Sequence, residues 1–231
     1  LVGSQTPLVV STIVKKMEYK LEDFVLIGNY GCIPLWLAVK ADAKWKTLRE
    51  FVEDAKRAGG KMMVGSYGKL TLAEFVIQLF SKHAGITLTH VPFKSSGEAL
   101  TNVLGGNIDS ALVSGAGGLL ESGAVRILAA AEKERLEGLP EVPTFSELGY
   151  PVVVQACYSF AVPKGTPREV VEKLYQAQKK AFERYPNEIK QGLRKVELWA
   201  KLSSPEEAMA EYKNDYQVLY RVAEELGAVA K

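Results

Sequence analysis

The sequence predicts an α/β fold, and three observations carry that prediction. Between residues 24 and 131, short apolar runs alternate with helical patterns of roughly 10–14 residues. Several of those patterns open on a Ser or Thr followed three positions later by Glu: Thr47 with Glu50, Thr71 with Glu74, and Ser95 with Glu98. Such pairs mark helix starts, because each partner satisfies a backbone N–H that the first turn leaves free. Glycines then stop the helices, at Gly59-Gly60, Gly85 and Gly105-Gly106. Strand–helix alternation of this kind implies βαβ units and a parallel sheet.

The elements follow in order. Residues 1–14 read as an interrupted strand or loop and then a short helix. Phe24–Ile27 is a strand, and Gly28-Asn29-Tyr30-Gly31 is its turn. Cys32–Val39 is strongly apolar, with Pro34 at an edge or at a strand start. A helix runs from Thr47 to about Ala58, and Lys61–Val64 is the next strand. Gly65-Ser66-Tyr67-Gly68 then turns into a helix carrying Leu72, Phe75, Val76, Leu79 and Phe80 on one side. Ile86–His90, Ile108–Val113 and Val125–Ala131 are strands, and 114–118 is a bend. Val152–Val162 is extended. The remainder is helical: 168–185, a short helix after Pro186, a strand candidate at Val196–Trp199, and a last helix capped by Ser204 with Pro205 in its first turn. The extended runs 32–41 and 152–163 lack the strand–helix rhythm and are read as crossings between two lobes. That divides the chain into 1–41 and 157–231 as lobe one and 42–156 as lobe two.

Composition excludes several function classes. The chain has 231 residues and a net charge of only +2, with acidic and basic residues mixed, which gives no basic arm for nucleic acid. No apolar run reaches about 18 residues, so no membrane helix is expected. No signal peptide is present in the sequence. Two histidines, His83 and His90, and two cysteines, Cys32 and Cys157, do not make a metal set, and no cofactor motif is complete. His83 and His90 are read as structural.

The glycine-rich stretch 62–75 is the element of greatest chemical interest. Gly65, Ser66, Tyr67, Gly68 and Thr71 place a hydroxyl and several backbone N–H groups at a helix start, which suits an anion. The same residues also read as a tight turn with a self-capped helix. Lys94, Ser95 and Ser96 form a second loop at a strand end, where open parallel sheets bind ligands. Asp109 is either a ligand or water acceptor, or a cap on the turn after Ile108.

The ordered set of short motifs resembles one family. Glu22-Asp23-Phe24, Gly65-Ser66-x-Gly68, His90-Val91-Pro92-Phe93-Lys94, Gly106-Asn107-Ile108-Asp109 and Gly123–Ala129 each match a family segment. So do Arg135 with Leu139–Thr144, Glu147 and Gly149, and then Pro163-Lys164-Gly165-Thr166-Pro167. The chain resembles the extracytoplasmic solute receptors of tripartite tricarboxylate transporters, the TctC or Bug-type binding proteins. The resemblance implies a type II periplasmic-binding-protein fold, a Venus flytrap of two α/β lobes with parallel-rich sheets. It implies a non-enzymatic receptor that closes on a small organic acid, whether a di- or tricarboxylate, an aromatic carboxylate or an amino acid. The expected partners are membrane permease subunits and the expected location is periplasmic. It further implies that the N-terminal part of lobe one, with its first binding loop, is missing from this sequence.

Departures from the family pattern fall near the binding loop. Leu70 stands where a third glycine is usual, Glu74 where histidine is frequent, and Phe93 where tyrosine is common. From lobe one, Ser4, Gln5 and Asn29 follow strands and are expected to face the cleft. If the runs holding Cys32 and Cys157 pair antiparallel, the thiols meet in a disulfide; otherwise they are two small buried side chains. Two rival functions remain, a sensory or scavenging binding protein without a transporter and an α/β enzyme. The enzyme reading lacks a nucleotide-binding glycine motif and a Ser-His-Asp order.

Overall fold

A computed structural model of the protein describes residues 2–115 and 117–230. The bend expected over 114–118 contains Ala116, which lies outside the described residues. The chain forms two compact units, one built from the residues up to Ile33 and from Ala156 onward, the other from Pro34–Gln155. In chain order the first opens with β1 (Val2–Ser4), α1 (Gln5–Leu8), α2 (Val10–Val14) and β2 (Phe24–Ile33). The second runs β3 (Leu35–Lys40), α3 (Leu48–Ala58), β4 (Met63–Ser66), α4 (Leu72–Ala84), β5 (Thr89–Pro92), α5 (Ser96–Leu104), β6 (Ser110–Ser114), α6 (Gly117–Glu121) and β7 (Val125–Ala130). The chain returns to the first unit for β8 (Ala156–Pro163), α7 (Arg168–Arg184), α8 (Pro186–Arg194), β9 (Trp199–Ala200) and α9 (Pro205–Glu225). Among the described residues, no helix is long and apolar enough to cross a membrane.

In the Pro34–Gln155 unit the strands lie in the order β5-β4-β6-β3-β7. β4 is parallel to both β5 and β6, joined by the crossover helices α4 and α5. β3 runs antiparallel between β6 and β7. Its residues Leu35 to Val39 are all buried, as a strand covered on both faces requires. Pro34 stands just before that strand, so its missing N–H costs no ladder bond. The first boundary, expected after residue 41, therefore falls between Ile33 and Pro34, because β3 gives its hydrogen bonds to β6 and β7. The second, expected after residue 156, falls after Gln155.

The start of α3 follows local chemistry. The Thr47 hydroxyl accepts from Glu50 N–H at 3.2 Å, and the Glu50 carboxylate accepts from Thr47 N–H at 3.0 Å. That complete capping box opens α3, which buries Leu48, Phe51, Val52 and Ala55 and stops at Gly59 in the left-handed conformation. β5 begins at Thr89, later than the strand expected from Ile86, because pairing starts where Thr89 N–H reaches Met62 O at 2.8 Å.

The other unit holds a four-stranded sheet, β1-β8-β2-β9, in which every neighbouring pair is antiparallel. β-Structure here continues through the turn expected at 28–31. The chain stays in β2 and absorbs the irregularity as two register shifts, between Leu26 and Gly28 and between Asn29 and Gly31. Gly28 permits this: its φ is +145°, and a Cβ there would lie 2.2 Å from Ser203 O. Cys32 faces Cys157 across the β2–β8 pair, and the two form a disulfide. α9 opens with the full Ser204/Glu207 capping box and buries Ala208, Tyr212, Asp215, Leu219, Val222 and Ala223. The strand candidate at Val196–Trp199 shrinks to Trp199–Ala200, since Glu197 turns through φ +57° just before it.

Candidate functional site

The carboxyl ends of the parallel strands β4 and β5 lie side by side, with Ser66 opposite Pro92. Their loops are tied by a 2.8 Å hydrogen bond from Phe93 N–H to Ser66 O. Gly65 is required at this join: a Cβ there would lie 2.6 Å from Ile108 Cδ1 and 3.0 Å from Phe93 Cε2. Two of the sequence-predicted groups, 65–71 and 94–96, thus stand on one edge of one sheet.

The local chemistry of the first loop differs from expectation. Thr71 precedes α4 but makes no side-chain cap; its hydroxyl donates to Gly68 O at 2.9 Å. Glu74 does not reach back to Thr71. One carboxylate oxygen, Oε2, accepts from Leu70 N–H, and the other, Oε1, lies 2.9 Å from His90 Nδ1. His90 Nε2 lies 2.7 Å from Ser66 Oγ, which also accepts from Gly68 N–H at 3.3 Å. Within this turn, Leu70 N–H, Gly68 N–H and the Ser66 hydroxyl are thereby engaged by the protein's own groups. The side chains of His90 and Glu74 are only 9% and 12% exposed, and Ser66 is fully buried. Leu70, by contrast, is 37% exposed and adopts φ +53°, a conformation that L side chains disfavour by roughly 1–2 kcal/mol.

A Glu74–His90–Ser66 line has the residue order of a nucleophilic triad. Burial of the Ser66 hydroxyl keeps it from a substrate, so the line acts as an internal polar relay. With a glutamate accepting at Nδ1, the imidazole presents Nε2 to Ser66 as an acceptor when neutral and as a donor when protonated. The contact between His90 and Glu74 has no signal in the sequence. They stand 16 positions apart, and His90 is 24 from Ser66, so only β4–β5 pairing brings them together.

The second loop is also self-satisfied. Lys94 N–H donates to Glu98 Oε2 at 2.9 Å, and Glu98 N–H donates to the Ser95 hydroxyl at 3.1 Å. Lys94 and Ser95 are exposed, and Ser96 is half-buried. Asp109 is not at the loops: its Oδ2 accepts from Met63 N–H at 2.7 Å, fixing the start of β4. Among the described residues, no three metal-binding side chains stand together.

Two of the three candidates in the other unit are withdrawn from solvent. Gln5 is 1% exposed and donates to Asp215. Asn29 is fully buried with every polar group in use. Its N–H donates to Ser203 Oγ at 3.0 Å and its amide to Glu211 Oε2 at 2.8 Å. Its Oδ1 accepts from Ser159, and its O from Gln178 Nε2 at 2.7 Å. Gln5 ties α1 to α9, and Asn29 ties β2 to α7, α9 and β8, so in this structure both serve internal packing rather than an open surface. Ser4 is half-buried at the start of α1 and makes no cap.

Residues 1–213 match the family model for the tripartite tricarboxylate transporter family receptor, TctC. The chain belongs to that family. It is 32% identical over 164 residues to a UPF0065 protein of Cupriavidus necator, covering 71% of this chain and 50% of the relative. It is 28% identical to the protein BugT of Bordetella pertussis, covering 99% of this chain and 71% of BugT. The chain thus spans half the length of the first of these curated relatives. Among solved structures, a TctC solute-binding protein from Polaromonas superposes with a TM-score of 0.82 at 25% identity, covering 90% of this chain and 72% of that one. An R. palustris protein described with adipate superposes with a TM-score of 0.79 at 21% identity, covering all of this chain and 78% of that one. The family is one of periplasmic solute receptors rather than enzymes, and the fold is that of its two-lobed members.

Proposed function

We propose that the protein is an extracytoplasmic receptor that captures a small organic carboxylate and passes it to the membrane subunits of a tripartite transporter. The family match over residues 1–213 carries the reading. Related structures described with adipate and with malate supply its ligand class. The Cys32–Cys157 disulfide supports an oxidising compartment such as the periplasm. In this chain the paired loops after β4 and β5 form the ligand wall. The backbone N–H groups of Leu70 and Lys94 are already engaged, so the carboxylate meets side-chain donors: the Ser95 and Ser96 hydroxyls and the exposed ammonium of Lys94.

Mass spectrometry of small molecules released from natively purified protein, followed by calorimetry with the compound found, tests the reading. The expected result is a small organic acid that rebinds with one-to-one stoichiometry. Absence of binding by any small organic acid overturns it.

A further inference from the structure

We infer that His90 is the positioning residue of the Ser66–Gly68 turn, and that the number of protons on its ring decides which acceptor the Ser66 hydroxyl serves. With both ring nitrogens protonated, the hydroxyl holds Gly68 O. With one proton lost, the hydroxyl turns to the ring and the turn loses that bond. Under the receptor reading, in which this loop belongs to the ligand wall, the wall becomes sensitive to pH.

Counting protons carries the assignment. Ser66 has one hydroxyl proton and two acceptors in reach, His90 Nε2 at 2.7 Å and Gly68 O at 3.0 Å. Its oxygen also accepts from Gly68 N–H at 3.3 Å. Across the ring, Nδ1 lies 2.9 Å from Glu74 Oε1, and an ionised carboxylate only accepts, so Nδ1 carries a proton. The neutral ring therefore has a bare Nε2, and Ser66 can donate to it or to Gly68 O but not to both. The imidazolium donates from Nε2 and releases the hydroxyl to Gly68 O. Only then does each of these contacts hold one proton. Glu74 keeps its bond to Nδ1 in both states, so the ring stays in place and the hydroxyl proton moves.

Burial and backbone make that one proton matter. Ser66 is fully buried, and the side chains of His90 and Glu74 are 9% and 12% exposed, so bulk water is a poor substitute for a lost partner. Gly68 and Leu70 lie at φ +140° and +53°, between the end of β4 and the start of α4. Side chains pin this segment: Gly68 O accepts from Ser66 and from the Thr71 hydroxyl at 2.9 Å. Among the described residues, Glu74 is the charged group within hydrogen-bond reach of the ring. β4 adds no charged side chain. The neighbouring loops and helix carry Tyr67, Lys69, Lys94 and Glu98, and Asp109 is engaged at the far end of β4 by Met63 N–H.

The test is a nuclear magnetic resonance titration of the ligand-free protein from about pH 5 to 8, the range in which histidine changes charge. It follows the ring nitrogens of His90 and the carbonyl carbon of Gly68, with His83, exposed on α4, as the reference in the same spectra. The Gly68 carbonyl is expected to move with the midpoint of the His90 ring and to move downfield toward acid, as the second bond to its oxygen forms. In Ser66→Ala the ring is expected still to titrate while the Gly68 shift is lost. A ring whose proton count never changes over this range overturns the inference, as does a Gly68 carbonyl that stays still while the ring titrates; both are read on wild type. A Gly68 shift that persists in Ser66→Ala shows that the ring acts without the hydroxyl and also overturns it. Since no ligand is present, none of these outcomes depends on the receptor reading, which stands or falls on its own binding experiment.

Discussion

The two units place similar amphipathic helices on their sheets and bury them to very different depths. In the Pro34–Gln155 unit α4 buries Leu72, Ala73, Phe75, Val76, Ile77, Leu79 and Phe80, and the ring of Phe80 lies 4.8 Å from that of Phe145. In the other unit α7 runs 17 residues and buries only Gln178, while α8 buries none of its side chains. An apolar groove of about 550 Å³ lies there, bounded by Ile27, Phe160, Val162, Leu174, Phe182 and Leu193. Amphipathic patterning states what a helix offers, but most helical stability comes from the surface that receives it. The parallel strands β4, β5 and β6 give their crossover helices a complete surface; the antiparallel unit buries one face of α9 but leaves α7 and α8 thinly covered.

The largest expected effect breaks or sharpens that contrast directly. Phe80→Ala removes a fully buried ring from the packed unit and is expected to cost about 3–5 kcal/mol. Leu174→Ala removes a side chain that is 43% exposed and is expected to cost less than about 1 kcal/mol. Guanidinium unfolding followed by circular dichroism measures both. Similar costs at the two positions would show that the groove is as well packed as the core.

Next in size is the disulfide. It joins β2 to β8 across a sequence separation of 125, on the strands from which the chain leaves for the second unit and to which it returns. Constraining so long a loop in the unfolded chain is worth about 2–5 kcal/mol. Cys32→Ser with Cys157→Ser is expected to lower the unfolding midpoint of the thinly packed unit, with little change in the other. A midpoint unmoved by the double substitution, or by reductant on the wild type, would show that the sheet is held without it.

Local chemistry was legible in the sequence, and non-local pairing was not. Thr47 with Glu50 and Ser204 with Glu207 are complete capping boxes as their spacing predicts, because every atom involved lies within one turn. Thr71 with Glu74 has the same spacing and fails, because His90 arrives from β5 and takes the carboxylate. The placement of β3 between β6 and β7 is likewise invisible locally, since its apolar run suits a crossing segment as well as a buried strand. Asn29 reads as an exposed turn residue until Ser159, Gln178, Ser203 and Glu211, all more than 125 positions away, are brought around it. The disulfide lies between these cases: its two cysteines are obvious, but their meeting depends on the β2–β8 register.

A buried acid gives the thin unit a pH dependence of its own. Burial pushes the Asp215 carboxyl up to about 6, against opposing hydrogen bonds from Gln5 and Asn214, and Glu211 raises it further while Lys201 lowers it. Gln5 Oε1 is buried beside it with no hydrogen-bond partner, and a protonated carboxyl has the donor that a carboxylate lacks. The folded state therefore binds the proton more tightly than the unfolded state. This contribution is fully present below the unfolded value of 3.8 and is lost as pH rises through about 6. The loss is on the order of 2–3 kcal/mol. Asp215→Asn is expected to match wild type near about pH 4 and to exceed it above about pH 7, flattening the profile. A variant less stable than wild type at about pH 8 would show that the charged form is favoured.

The smallest effect compares the units at equal local chemistry. Thr47→Ala and Ser204→Ala each remove one hydroxyl that accepts from the Glu three residues on, at 3.2 Å and 3.1 Å. Cap energies depend on the first helical turn, so each is expected to cost about 1 kcal/mol despite the different packing around them. What should differ is where the cost appears. If the packed and the thin unit unfold separately, Thr47→Ala shifts only the transition at higher denaturant and Ser204→Ala only the one at lower denaturant. Hydrogen exchange resolved by peptide assigns each shift to its unit. Two equal shifts of one shared transition would mean that the disulfide-closed chain unfolds as a single cooperative body, and that the uneven burial of α4 and α7 has no separate thermodynamic consequence.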